Sequence, residues 1–448
     1  MTAVPASLNS PRTDGRSAAA RSASVPAYRT PTVILALVLL YTMLFSQIIG
    51  GALVVHSDLD PALYDTASKS NALNQAFWFA LLAITVFVAV MRRTDPLYAG
   101  RALLPLFAYL AWSAATLPWA ADRHIALRRL LLQLCIVGSI WLPIAMIRNA
   151  AHVRRIVLYV MFVIVLANTA AAAIFKPTEL GFAGLFGQKN GLGAAAALAF
   201  ITFLFSFTRR RSADNVICSL GLVLSLALLV ASRSKTSIIL SAAVPLIVFA
   251  TAGLTRNLRI RPAPIVLAAV GVSSCAVVIA LSLGLHSDTI LHALFGGDTF
   301  TGRTDIWSFA WAEFLTRPFI GFGFNGFWGV GTTSAATYAN NAFIADILQA
   351  HEGYLDVLLE TGVIGLAIFI VFVLTTVHNC SRVIQQRGGP FFLAMTLFVV
   401  LHNFFESSIF RRFEPVWIVF LFAAVAVGVE QLHKQGAGQH ISRERPAC

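Results

Sequence analysis

The sequence predicts an all-α polytopic membrane protein of about twelve transmembrane helices with one large extracytoplasmic loop. Apolar residues make up 58% of the chain and charged residues 12%, against about 25% charged in an ordinary soluble domain. The apolar residues also gather into runs near the ~20 residues that a helix needs to cross a bilayer. Alternating ten-residue segments, the mark of a transmembrane barrel, do not occur, so the runs read as helices.

Residues 1–30 are rich in Ser, Ala, Pro and Arg and lack an apolar stripe, a composition that favours a disordered cytoplasmic N-terminus. The apolar run after them is too long for a cleavable signal peptide and has no small-residue cleavage site, so 32–55 reads as a retained first span. Further runs near 76–91, 101–119, 127–147, 153–175, 190–208, 216–232, 236–252 and 264–286 complete nine spans within 31–286. A polar stretch, 287–359, separates them from three more runs in 360–430, near 360–378, 391–409 and 415–430; a tail, 431–448, follows.

A net charge of +13 would suit nucleic acid, but its distribution excludes that partner. With the N-terminus inside, most Lys and Arg fall on the cytoplasmic side, among them Arg92, Arg93, Arg154, Arg155, Arg209, Arg210, Arg211, Arg256, Arg259 and Arg261. That is the positive-inside bias of a multi-pass membrane protein. It places both termini in the cytoplasm and 287–359 outside; Arg123, Arg128 and Arg129 run against it. The cysteines, Cys135, Cys218, Cys275, Cys380 and Cys448, are scattered and none forms a CxxC, so neither a disulfide framework nor a zinc site is implied.

Within the outer loop, Ile306, Trp307, Ala310, Trp311, Phe314 and Leu315 recur at helical spacing after Thr304-Asp305, and the run stops at Pro318. This predicts an amphipathic helix packed on the membrane face or on other helices. Gly321–Gly326 matches GxGxxG literally but lacks a βαβ context, so a tight backbone turn is expected. His351 opens a helical stretch, Glu352 to Glu360, that ends at Gly362. Leu355 stands where a zincin HExxH would place its second histidine, which disfavours metal-assisted proteolysis. A lone histidine is commonly a surface or core residue, yet a neutral imidazole can also take a proton from a hydroxyl near neutral pH. Glu352 can do the same or orient the ring.

Two more polar elements lie at outer ends of spans. In the short link Ser232–Thr236, Arg233 and Lys235 admit two readings: charges snorkelling from helix ends, or an anion site using the bidentate donors of arginine. Gly184–Gly191 is not a Walker A loop, but Lys189, Asn190 and the backbone amides at that helix start can hold an anion. Glu406, beside Arg411 and Arg412, reads as part of an ion pair that supports structure.

No ATP or nucleotide sugar is available outside the cell, so a glycosyl donor there must arrive activated on a lipid phosphate or pyrophosphate. Arg233, Lys235, Lys189 and Arg303 would stabilise the charge that develops as the pyrophosphate leaves. His351 would activate the acceptor hydroxyl.

Five segments in order carry a resemblance: Gly187–Gly193 (GQKNGLG), Ser232–Thr236 (SRSKT), Gly302-Arg303 with Trp307, Arg317–Phe327 (RPFIGFGFNGF), and His351–Leu355 (HEGYL) with Glu360-Thr361-Gly362. Over about 180–365 the chain resembles the O-antigen ligase/polymerase superfamily, especially its exopolysaccharide-polymerase branch. The resemblance implies a GT-C-like glycosyltransferase that needs no metal or other cofactor. Its partners would be a polyprenyl-pyrophosphate-linked glycan donor, a glycan acceptor and the bilayer, with polysaccharide export or chain-length proteins left open. Arg233 and Arg303 match the family's pyrophosphate-contacting arginines, His351 its proposed catalytic histidine, and Lys189-Asn190 a recurring Lys-Asn. The family commonly has His-Asn where this chain has His351-Glu352, so the role of Glu352 stays open between orienting the histidine, sharing the base role and capping the helix. The expected function is polymerisation of lipid-linked repeat units into exopolysaccharide or O-antigen on the periplasmic face. The alternatives are a ligase that moves finished glycan to lipid A-core or another acceptor, and a flippase for lipid-linked sugar. The clustering of charge at outer ends rather than deep in spans weighs against the flippase.

Overall fold

The computed structural model describes residues 25–48, 72–95, 100–179, 181–208, 212–282, 303–330, 333–338, 344, 347–386, 388–411 and 414–443. Residues 1–24 of the expected disordered terminus, Gly302, Arg412 and most of the stretch before Arg303 lie outside them. The helices are α1 (Val25–Leu40), α2 (Ala72–Met91), α3 (Leu104–Ala115), α4 (Arg123–Ile147), α5 (Ala150–Ala171), α6 (Lys189–Leu204) and α7 (Ala213–Ser232). They continue with α8 (Lys235–Leu258), α9 (Pro262–Ser282), α10 (Arg303–Thr316), α11 (Gly353–Arg382), α12 (Gly389–His402) and α13 (Pro415–Arg443). No β-strand occurs among the described residues; Thr178 and Gly181 form an isolated bridge.

Each expected apolar run overlaps a helix among the described residues, with 49–55 of the first and 283–286 of the ninth outside them, but the lengths differ. Among the described residues, eight helices are long and apolar enough to cross a membrane: those beginning at Tyr28, Ala72, Arg123, Ala150, Ala213, Lys235, Gly353 and Pro415. At 1.5 Å per residue, α3 with 12 residues, α6 with 16 and α12 with 14 are shorter than a bilayer core of about 30 Å. α6 from Leu192 and α12 are almost wholly buried, α12 between α8, α11 and α13. An apolar run with no polar face is what a helix surrounded by other helices requires, and it reads like a span.

The first helix starts earlier than composition suggests. α1 runs from Val25 because its first turns are tied to α5: Thr32 Oγ1 lies 2.8 Å from His152 Nε2, and the Tyr28 ring packs 5.8 Å from the His152 ring. At the other end of the chain, α13 continues through the expected tail boundary to Arg443.

The expected amphipathic helix is α10, with Ile306, Ala310 and Phe314 buried against Phe327, Trp328 and Leu359. The expected stop at Gly362 is a break inside α11 rather than its end, with Gly362 at φ 68 and ψ −175. Only glycine adopts that conformation readily. The break frees backbone groups that the 318–322 turn and Trp112 of α3 satisfy. Val363 N donates to Pro318 O at 2.9 Å, Phe322 N to Leu359 O at 3.0 Å, and Trp112 Nε1 to Thr361 O at 3.0 Å. The glycines at 321 and 323 sit at positive φ and make the tight turn that the sequence suggested.

Arg129, anomalous by charge counting, explains itself in this frame. From the second turn of α4 it donates to the carbonyls of Asn325, Trp328 at 3.0 Å and Gly329 at 2.9 Å. A guanidinium fork with five donors suits such a bundle of carbonyls. The arginine therefore lies at this end to hold the loop, a structural demand stronger than one residue's share of the topology bias. Beneath it, Arg411 reaches Asp356 at 2.8 Å and Glu360 at 3.6 Å, while Trp328 Nε1 donates to Asp356 Oδ1 at 2.7 Å and Asn325 N to Glu360 Oε2 at 3.0 Å.

Candidate functional site

One end of the bundle gathers the α3–α4 junction, the start of α6, the α7–α8 link, and the described residues between α10 and α11 and between α12 and α13. Close backbone approaches join them. Phe182 N donates to Ala231 O at 2.9 Å, a Cβ on Gly193 would meet Ser234 Cβ at 2.4 Å, and Gly353 N donates to Asn403 O at 2.8 Å. The last contact leaves no room for a side chain at 353, where a Cβ would stand 2.4 Å from Asn403 Oδ1.

The centre of this end is Glu406, in the link after α12. Its Oε1 accepts from Arg303 Nη2 at 2.8 Å and from Asn190 Nδ2 at 2.9 Å; its Oε2 lies 3.2 Å from His351 Nδ1. Arg303 also donates to Phe405 O at 2.5 Å, and the Gln349 amide lies 3.3 Å from His351 Nδ1. Asn403 fixes the link itself, its Oδ1 accepting from Ser408 N, Ser408 Oγ and Ile409 N at 2.9–3.2 Å. The Glu406 side chain is 12% exposed and that of His351 29%. Burial alone would raise the Glu406 carboxyl, but the His351 hydrogen bond and the Arg303 guanidinium outweigh it and hold the group down to about 2. An ionised Glu406 facing Nδ1 favours the proton on that nitrogen, which leaves Nε2 with its lone pair.

His351 sits at φ 54, just before the N-cap of α11. Glu352 is that cap and accepts from Leu355 N. Of the roles open to it, capping is the one for which the structure shows a contact; the carboxylate against His351 is Glu406. Burial pushes the Glu352 carboxyl up to about 8, with the Leu355 N–H pulling the other way.

The remaining expected residues stand at neighbouring helix ends. Lys189 begins α6, next to Asn190, and is half-buried with no ion pair among the described residues. Arg233 occupies the left-handed C-cap of α7 at φ 53, and its Nη1 donates to Glu179 O at 3.0 Å. Lys235 is half-buried at the start of α8. No contact joins Arg233 or Lys235 directly to Glu406 among the described residues. The pairing of Glu406 with Arg411 that the sequence suggested is replaced by two separate networks, Glu406 with Arg303 and Arg411 with Asp356 and Glu360. Sequence spacing favoured the neighbour five residues on, whereas the fold puts that arginine under α11.

Residues 220–370 match the O-antigen ligase family. The match begins within α7, takes in Arg233, Lys235, Arg303, His351 and Glu352, and ends in α11 beyond the Gly362 break; Asn190 and Glu406 lie outside it. The chain is also 26% identical over 295 residues to the exopolysaccharide production protein ExoQ of Rhizobium meliloti, covering 64% of this chain and 67% of that protein. The resemblance to the O-antigen ligase/exopolysaccharide branch drawn from the motifs is thus borne out by both comparisons.

Proposed function

We propose that this chain is a glycosyltransferase of the bacterial inner membrane that polymerises polyprenyl-pyrophosphate-linked oligosaccharide repeat units on the periplasmic face. The carrying observation is that Glu406 gathers Asn190, Arg303 and His351, residues from three separate helix ends, around one carboxylate. In this proposal Arg303 receives the pyrophosphate together with Arg233, Lys235, Lys189 and Asn190, so that side chains supply the positive charge the leaving group needs. The acceptor hydroxyl gives its proton to His351 Nε2 as its oxygen bonds to the anomeric carbon. The bond from that carbon to the pyrophosphate oxygen breaks, and the pyrophosphate departs on its polyprenyl carrier with the bonding electron pair. Glu406 balances the imidazolium that forms. Glu352 is proposed to act through the backbone, capping α11 and so setting where His351 stands.

The O-antigen ligase match over 220–370 favours a second reading, transfer of a finished glycan to lipid A-core or another acceptor by the same donor chemistry. Deleting the chain from its host and analysing what accumulates separates the two. Single lipid-linked repeat units support the polymerase; unattached long chains support the ligase and would overturn the first reading.

A further inference from the structure

α10 has two apolar faces, and only one is explained by the core. Ile306, Ala310 and Phe314 are buried, whereas Trp311 is 50% exposed, Leu315 59% and Phe319, in the turn that follows, 68%. Trp311 and Leu315 stand four residues apart and so share one stripe of the helix, and Phe319 follows it in the turn beyond Thr316. Asp305, Ala312 and Thr316 are exposed on the flank beside it and are polar or small.

The stripe does not end with the turn. Val363 N and Ile364 N donate to the carbonyls of Pro318 and Phe319 at 2.9 and 3.4 Å, which sets Phe319 and Ile320 against the outer flank of α11. There Val363 and Ile364 are exposed, and the exposed face runs on along α11 through Val371 and Leu374. α11 is long and apolar enough to cross a membrane, so this face is a lipid-contacting one. At the junction, Trp119 Nε1 reaches Ile320 O at 3.4 Å, and exposed Arg317 lies 5.0 Å over the Phe322 ring. Tryptophan and arginine around an apolar edge are the composition of a membrane–water interface.

We infer that α10 and its following turn form an interfacial element, with Trp311, Leu315 and Phe319 seated in the leaflet of the bilayer that α11 crosses. A helix so placed buries its apolar stripe about 5–10 Å into the headgroup and acyl boundary. Arg303, the first residue of α10, is thereby held near headgroup height, the level at which a lipid carrier presents its phosphates. The inference concerns where the helix lies and does not depend on the proposed reaction.

The test uses the full-length chain in lipid nanodiscs, with native cysteines replaced and a fluorophore attached at Leu315→Cys, Trp311→Cys or Thr316→Cys. Each label is challenged with a nitroxide-bearing phospholipid and, separately, with aqueous iodide. Labels at 315 and 311 are expected to be quenched several-fold more by the nitroxide lipid than the label at 316, about 100° round the helix from Leu315, which iodide should reach instead. All three positions are exposed on α10, and size-exclusion profiles matching wild type verify folding. Equal iodide quenching at 315 and 316 would overturn the inference. So would shielding of 315 from both quenchers, which would mean that a protein surface covers the stripe.

Discussion

Glu406 Oε2 stands 3.2 Å from His351 Nδ1 across 55 residues of sequence, with the other carboxylate oxygen bound to Arg303. A group expected to bind leaving phosphate and a group expected to take a proton are thus tied to a single buried anion. Glu406→Gln preserves the shape of the site and removes the charge that steadies an imidazolium. Its turnover should fall by about 100-fold, with a smaller change in KM, in a steady-state assay on lipid-linked substrate. Unchanged turnover would show that Glu406 only supports structure.

The same carboxylate should leave a mark on stability. Its folded value, about 2, lies below its ordinary 4.5. Such a group stabilises the fold in full above about pH 4.5, and the contribution is lost as pH falls from there towards 2. Thermal unfolding in detergent should therefore show wild type above Glu406→Gln at pH 7, with the gap narrowing by pH 3.

Glu352 carries the opposite sign. Raised from 4.5 to about 8, its folded carboxyl favours the fold below pH 4.5, and that advantage is lost as pH rises towards 8. Glu352→Gln keeps an oxygen for the Leu355 N–H and cannot ionise. It should match or exceed wild-type stability at pH 8 and retain most activity. Loss of activity with an intact fold would return Glu352 to a direct part in proton transfer.

Arg129→Met should free the 325–329 turn. Three carbonyls lose a charged donor, and at about 1.5–3 kcal/mol for such a bond the variant should be destabilised by about 3 kcal/mol or more. Limited proteolysis should show new cleavage between Arg317 and Gly329. Unaltered protection would mean that the turn is held by the Trp328–Asp356 and Asn325–Glu360 bonds alone.

Gly362→Ala would place a Cβ 2.2 Å from Phe319 O at a φ of 68. Strain and clash together should cost about 3 kcal/mol or more, read as a lowered melting temperature and reduced yield in the membrane. A variant as stable as wild type would mean that α11 tolerates a straight path.

Much of this was legible in the chain because it is written locally. Apolar runs gave the helices, the Ile306–Leu315 spacing gave α10, and Gly362 with Gly321 and Gly323 marked the break and turn. What stayed hidden depends on contacts across long separations. Glu406 reads as a partner of nearby Arg411 until the fold brings Arg303 and Asn190 to it. Arg129 reads as a misplaced charge until the 325–329 carbonyls appear above it. The early start of α1 rests on His152 rather than on any propensity in residues 25–31.

The most direct test is reconstitution of the full-length protein with a polyprenyl-pyrophosphate oligosaccharide, products being resolved by chain length, with His351→Ala and Arg303→Ala alongside. A ladder of longer glycans from wild type, lost in both variants while each still inserts and elutes as wild type does, is the predicted result. A ladder that persists in the His351→Ala protein, or wild-type protein that leaves the substrate unextended, would contradict a polymerase built around His351 and Arg303.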